Sequence, residues 1–162
     1  MSPRDETSLM SNTYTQIHIQ FVFVVKRRAC VIDASWENEL YKYISGIVQA
    51  HNHKLICING MPDHIHMLIG LRPTQSISDL MKDVKGSSSK WINEMGFIKE
   101  KFEWQEGYGA FSYGKSQLKN VIAYIENQKV HHAKKTFREE YIEFLKLFEI
   151  DYDEKFIFKE LL

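Results

Sequence analysis

Ile17, Ile19, Phe21, Phe23 and Val25 alternate with His18, Gln20, Val22 and Val24. A period of two predicts a strand with one strongly apolar face. That strand runs into a small basic cluster, Lys26-Arg27-Arg28. Beyond it Trp36, Leu40, Tyr43, Ile44, Ile47 and Val48 fall at helical spacing and define a core-facing stripe, with Asp33 as the expected N-cap. Residues 55–59 and 63–71 read as two further strands. A turn at Gly60-Met61-Pro62 would join them in a hairpin longer than the two-residue kind. In the third strand Ile65, Met67, Ile69 and Leu71 take one face, and His64, His66, Leu68 and Gly70 take the other.

Ser76 or Ser78 can cap a helix whose apolar stripe is Ile77, Leu80, Met81, Val84, Trp91, Ile92 and Met95. Its other side carries Lys82, Lys85, Ser87, Ser88, Ser89 and Lys90 and reads as solvated, while Gly86 weakens the middle by about 1 kcal/mol relative to alanine. Residues 104–111 form an expected irregular strand rich in glycine and aromatics. Residues 115–132 are helical again, with Leu118, Val121, Ile122 and Ile125 facing the core. Tyr124 then lies roughly 110° from the centre of that stripe, on a polar flank with Gln117, Asn120, Gln128 and His131. Thr136-Phe137-Arg138-Glu139 is a capping-box pattern opening a last helix through Tyr141, Phe144, Leu145 and Phe148. The order β-α-β-β-α-β followed by helices matches an α+β, ferredoxin-like (split β-α-β) fold with an antiparallel sheet.

Composition narrows the class. A chain of 162 residues with 44% apolar and 13% aromatic content is expected to fold as one domain with a real core. Cys30 and Cys57 have no CxxC spacing, and Cys57 sits in an apolar run, which fits free thiols in a reducing, cytoplasmic compartment. No apolar run approaches the roughly 18–20 residues that cross a bilayer, and the polar first dozen residues show no signal-peptide core. Net charge is zero but unevenly spread. Residues 14–135 carry 16 Lys/Arg against 11 Asp/Glu, whereas residues 136–162 carry 4 against 8. A basic body with an acidic tail is compatible with a phosphate-bearing partner.

The candidate chemistry lies in Pro62-Asp63-His64-Ile65-His66 and in Tyr124 and Gln128, about 60 residues on. Two imidazoles two residues apart on a strand share a face and can share a divalent metal. A tyrosine and a glutamine four apart on a helix share a face as well. An exposed HxH is commonly just two solvated histidines. Here Leu68 shares their face, so that side is expected to be covered, and burying unpaired imidazoles would cost about 1–3 kcal/mol. A metal or a phosphate would relieve that cost. Gln128 and Asp63 are the oxygen donors within reach as a third ligand, and a mixed N/O shell suits Mg²⁺ or Mn²⁺. His131 and His132, near Lys134 and Lys135 at a helix end, read as capping or phosphate-contacting residues.

Pro62-Asp63-His64-Ile65-His66 followed by Tyr124-Ile125-Glu126-Asn127-Gln128 resembles the single-tyrosine HUH transposases of bacterial insertion sequences and the related REP-associated tyrosine transposases. The likeness extends to Lys26-Arg27-Arg28, to Trp104…Gly107-Tyr108-Gly109-Ala110-Phe111 and to Phe137-Arg138-Glu139-Glu140-Tyr141. It implies a metal, Mg²⁺ or Mn²⁺, held by His64, His66 and Gln128, and a nucleophilic Tyr124 that forms a 5′-phosphotyrosine with single-stranded DNA at hairpin-flanked ends. It also implies a homodimer with sites shared between subunits, so that the 115–132 helix of one chain would cover the histidine strand of the other. Phosphate contacts are expected from Lys26, Arg27, Arg28, Lys82, Lys85 and Lys90. The expected organisation is a tail over 1–13, a catalytic domain over 14–135, and an acidic helical tail over 136–162 packed on the same domain. Two rival readings are a histidine-triad nucleotide hydrolase, which wants a third alternating histidine where Leu68 stands, and a catalytically silent ferredoxin-like nucleic-acid-binding protein.

Overall fold

Four strands form one antiparallel sheet: β1 (His18–Val24), β2 (Lys54–Met61), β3 (His64–Gly70) and β4 (Gly109–Tyr113), in the order β2-β3-β1-β4. The computed structural model describes residues 13–131 and 136–147. Helices α1 (Glu37–Ala50) and α2 (Ile77–Met95) complete the β-α-β-β-α-β order and pack on one face of the sheet. Phe21, Phe23, Ile65, Met67 and Ile69 meet Leu40, Ile44, Val48, Leu80, Val84 and Ile92 there in the main core. This is the α+β, ferredoxin-like arrangement that the patterning predicts.

The other face carries helices too: α3 (Leu118–Glu126), the short α4 (Gln128–His131) and α5 (Phe137–Leu147). Leu68 lies under Val121 and Ile125 of α3, while Val22, Val24 and Phe111 lie under Phe137, Tyr141 and Leu145 of α5. Both faces are therefore covered, and Val22 and Val24, on the weaker side of the β1 alternation, are as buried as Phe21 and Phe23.

Several local expectations are corrected. β2 runs on to Met61, paired with His64, so the hairpin closes through a two-residue turn, Pro62-Asp63. A side chain on Gly60 would collide with the His64 carbonyl, so only glycine lets the two strands approach here. Helix α1 begins at Glu37, and the Asp33 carboxylate instead accepts the Ser35 N–H at 2.9 Å in the preceding turn. Ser88 faces inward, not to solvent, and accepts the Trp104 indole N–H at 2.9 Å. Ser76 caps α2 as expected, its hydroxyl accepting the Asp79 N–H at 3.1 Å, and the Thr136 hydroxyl accepts the Glu139 N–H at 3.2 Å ahead of α5. The expected continuous helix over 115–132 is broken. A 3-10 turn precedes α3, and Asn127 (φ −95°, ψ 18°) separates α3 from α4. Phe148 and the rest of the acidic tail lie outside the described residues, as do His132, Lys134 and Lys135.

Candidate active site

His64 and His66 are fully buried, side by side on β3, with ring centroids 5.2 Å apart. They lie in the seam between α3 and α5. Tyr124 of α3 approaches His66 edge-on at 5.6 Å, and Phe137 of α5 lies 4.3 Å from the His64 ring. The expected cover over Leu68 is present, but the chain's own α3 supplies it. No partner helix is needed to fill that side of the sheet.

Each imidazole has a partner that orients it. His64 Nδ1 lies 2.6 Å from Asp63 Oδ1, across the hairpin turn. Burial acts to raise the Asp63 carboxyl, but its bonds to His64 and the nearby Arg28 charge outweigh this and hold it below the usual range. An ionised Asp63 therefore takes the Nδ1 proton of His64, turning Nε2 toward α4. Asp63 thus stands behind His64 and not on its open side, which removes it as the third ligand considered from the sequence. His66 Nδ1 lies 2.9 Å from the Gln20 amide, whose other end accepts the Tyr113 hydroxyl at 2.7 Å. Burial pushes that phenol up to about 12, so it remains a hydroxyl.

Gln128, also fully buried, presents Oε1 at 3.4 Å from His64 Nε2. Its amide nitrogen donates to the Tyr124 carbonyl at 3.5 Å, which fixes which end faces the histidine. With the His64 proton on Nδ1, two lone pairs confront each other across that gap, an arrangement that calls for a proton or a cation between them. Among the described residues, no three His, Cys, Asp or Glu side chains stand at metal-holding spacing. The oxygen donor nearest His64 Nε2 is an amide, the residue type that the spacing to Tyr124 singles out.

The break at Asn127 does not detach this donor. Asn59 of β2 donates to the Ile125 and Glu126 carbonyls at 3.0 and 3.1 Å, closing the end of α3. Lys129 reaches back to the Gly60 carbonyl at 2.6 Å and to Glu37 at 3.1 Å. The helix that carries Tyr124 and Gln128 is thus pinned to the strand beside the histidines.

The expected phosphate-binding cations divide. Arg28 reaches the site, with Nε 3.6 Å from Asp63 Oδ2 and its guanidinium 5.4 Å from the Phe137 ring. Lys26 pairs with Glu103 at 3.1 Å, and Arg27 is exposed beside it. Lys82, Lys85 and Lys90 lie on α2, which packs on the opposite sheet face from the histidines. Lys85 holds the Gln105 and Gly107 carbonyls at 2.6 and 2.7 Å, and burial lowers its pKa. Lys90 pairs with Glu94 at 3.9 Å.

The sequence reading missed three buried participants: Gln20, Tyr113 and Glu140. Glu140 Oε1 lies 3.4 Å from His66 Nε2, and burial, with Glu143 and Asp63 nearby, pushes its carboxyl up to about 8. Only its place one residue after the capping box hinted at it, and that position gives no direction.

Comparison with known proteins follows the same residues. The family model described as "Transposase IS200 like" matches residues 13–128, from before β1 through Gln128. The chain belongs to the IS200-like transposases. Family membership makes it a DNA-cleaving and DNA-joining enzyme by kind. Among its relatives, the ISDra2 transposase TnpA of Deinococcus radiodurans is 26% identical over 70% of this chain and 84% of that protein. The transposase for insertion sequence element IS200 of Salmonella typhimurium is 29% identical over 76% of this chain and 84% of its own length. Among solved structures, a REP-associated tyrosine transposase bound to a REP hairpin superposes with a TM-score of 0.58 at 15% identity, covering 93% of this chain and 95% of that one. A candidate transposase from Deinococcus radiodurans R1 gives 0.59 at 22%, covering 72% and 93%. At those identities the two structures speak for the fold. No helix among the described residues is long and apolar enough to cross a membrane.

Proposed function

We propose that this IS200-like transposase cleaves and rejoins single-stranded DNA at hairpin-flanked ends through a 5′-phosphotyrosine on Tyr124. The observation that carries the reading is the convergence of His64, His66, Gln128 and Tyr124 in one buried seam of a single chain. His64, His66 and Gln128 fit a divalent ion, because the His64 nitrogen and the Gln128 oxygen confront each other where a cation would satisfy both. Such an ion, Mg²⁺ or Mn²⁺, would supply Lewis-acid stabilisation of the charge developing on the scissile phosphate.

The protein's own residues do the rest. Tyr124 is held by α3 against His66, so its hydroxyl oxygen is delivered beside the histidines without a search. In the first step that oxygen bonds to phosphorus, the bond from phosphorus to the 3′ oxygen breaks, the phenol gives up its proton and the leaving 3′ oxygen gains one. Because the new bond is a phosphodiester, attack by a 3′-hydroxyl reverses the step and rejoins DNA without ATP. Asp63 and Gln20 hold the two imidazoles in orientation throughout. Arg28, beside Asp63, is placed for the DNA backbone, and Lys26 and Arg27 extend that patch, with Lys82, Lys85 and Lys90 further off.

The dimer with exchanged tyrosine helices, expected from the resemblance, is not required by this arrangement, and the reading adopted is a site completed in cis. The test is covalent trapping. Protein, Mn²⁺ or Mg²⁺ and 3′-labelled single-stranded hairpin oligonucleotides from the gene's flanks are run on a denaturing gel. A metal-dependent adduct lost in Tyr124→Phe and in His64→Ala is the expected result. Hairpin binding with no adduct from any flank would contradict the reading and favour a silent DNA-binding descendant.

A further inference from the structure

We infer that Glu140, on α5, is a direct ligand of the divalent ion at the histidine site, completing from the C-terminal helix a shell that His64, His66 and Gln128 leave partly open. The inference rests on the metal reading above and adds a residue outside the stretch that the family model matches, 13–128.

The geometry has two matching edges. His64 Nε2 and Gln128 Oε1 are 3.4 Å apart, and His66 Nε2 and Glu140 Oε1 are 3.4 Å apart. Neighbouring ligands about 2.1 Å from an octahedral ion stand roughly 3 Å from one another, so each pair has close to the spacing of one coordination edge. Both edges lie on adjacent imidazoles of one strand face. Glu140 is 3% exposed, and a carboxylate is brought into such a place at a cost of several kcal/mol unless a cation or strong donors meet it. Hard divalent ions prefer carboxylate oxygens to amide oxygens, and a shell of two imidazoles and one amide brings no negative charge. Glu140 would bring one.

The His66 side is compatible. The Gln20 amide can present either end to Nδ1 from the same heavy-atom positions, and the Tyr113 hydroxyl can donate or accept. With the Gln20 oxygen accepting the Nδ1 proton, His66 Nε2 is left as a lone pair beside Glu140.

The placement of Glu140 is built, not incidental. Tyr141 lies over Gly109 of β4, where a side chain would come within 2.5 Å of its hydroxyl. Phe137 lies against the His64 ring and under the Arg28 guanidinium. These two contacts flank Glu140 and set the rotation of α5 that turns its carboxylate to His66.

The experiment is Mn²⁺ titration of the full chain by calorimetry, with melting temperature followed in parallel, for wild type, Glu140→Gln, Glu140→Asp and His64→Ala. Glu140→Gln is expected to weaken Mn²⁺ binding about tenfold or more, to lose most of the Mn²⁺-induced rise in melting temperature, and to melt no lower than wild type without added metal. Glu140→Asp, which keeps the charge, is expected to recover part of the affinity. Unchanged or tighter binding by Glu140→Gln would overturn the assignment, tighter binding marking the carboxylate as a competitor for His66. That outcome differs from failure of the underlying reading, in which wild type and His64→Ala would take up Mn²⁺ equally poorly and both assignments would fall.

Discussion

The two faces of the sheet are made from the same strands and do opposite work. Toward α1 and α2, β1 and β3 present Phe21, Phe23, Ile65, Met67 and Ile69, and the layer is apolar throughout. Toward α3 and α5 the alternate residues of the same strands include Gln20, His64 and His66, buried as deeply as the core and joined there by Gln128 and Glu140. Burial of apolar area stabilises the first layer, whereas burial of unmatched polar groups costs about 1–3 kcal/mol each in the second unless partners are supplied. The lesson is that complete coverage of both faces does not make both faces core. A seam of buried polar groups, each aimed at another, marks the side where the chemistry is done.

Substitutions on the two faces are expected to separate activity from stability. Tyr124→Phe is predicted to reduce adduct formation on the order of a thousandfold or more while leaving the unfolding free energy within about 0.5 kcal/mol of wild type. A residual adduct of wild-type yield would remove Tyr124 as nucleophile. Phe21→Ala, on the apolar layer, is predicted to do the reverse, costing about 3–5 kcal/mol in urea unfolding. Its metal affinity, measured on the folded fraction, should be unchanged.

Smaller effects sharpen the contrast within the polar seam. Asp63→Asn leaves His64 in place but removes the carboxylate that fixes its proton, and Mn²⁺ affinity should fall about 10–100-fold. Gly109→Ala places a methyl group against Tyr141 and is predicted to cost about 1–3 kcal/mol. Hydrogen exchange should then quicken in Phe137–Leu147 while α2 stays protected; equal loosening of both helices would show that the seam and the core are not independent.

How legible this was follows from the range of each interaction. The shared face of His64 and His66 is a consequence of strand period alone, and the pairing of Tyr124 with Gln128 of helix period, so both could be read locally. The register that lays Val22 opposite His66 and brings Gln20 to its Nδ1 depends on strands 46 residues apart, and no local pattern carries it. Glu140 belongs to a helix whose apolar stripe was readable, but its direction is set by Gly109 and Phe137 contacts across the sheet. Ser88 was misread for the same reason: its partner, the Trp104 indole, comes from the irregular stretch ahead of β4. Asp63 stood in the right motif with the wrong role, because a two-residue turn puts it behind His64 and a longer one would not.

The central claim is that one chain assembles the whole site in cis. The most direct measurement mixes Tyr124→Phe with His64→Ala, each inactive alone, and assays covalent adduct at equal concentrations. A site completed within one chain predicts no recovery at any ratio, because no molecule has both an intact tyrosine and an intact histidine pair. Recovery approaching the statistical share of mixed dimers would contradict the account and assign Tyr124 to the partner's histidines.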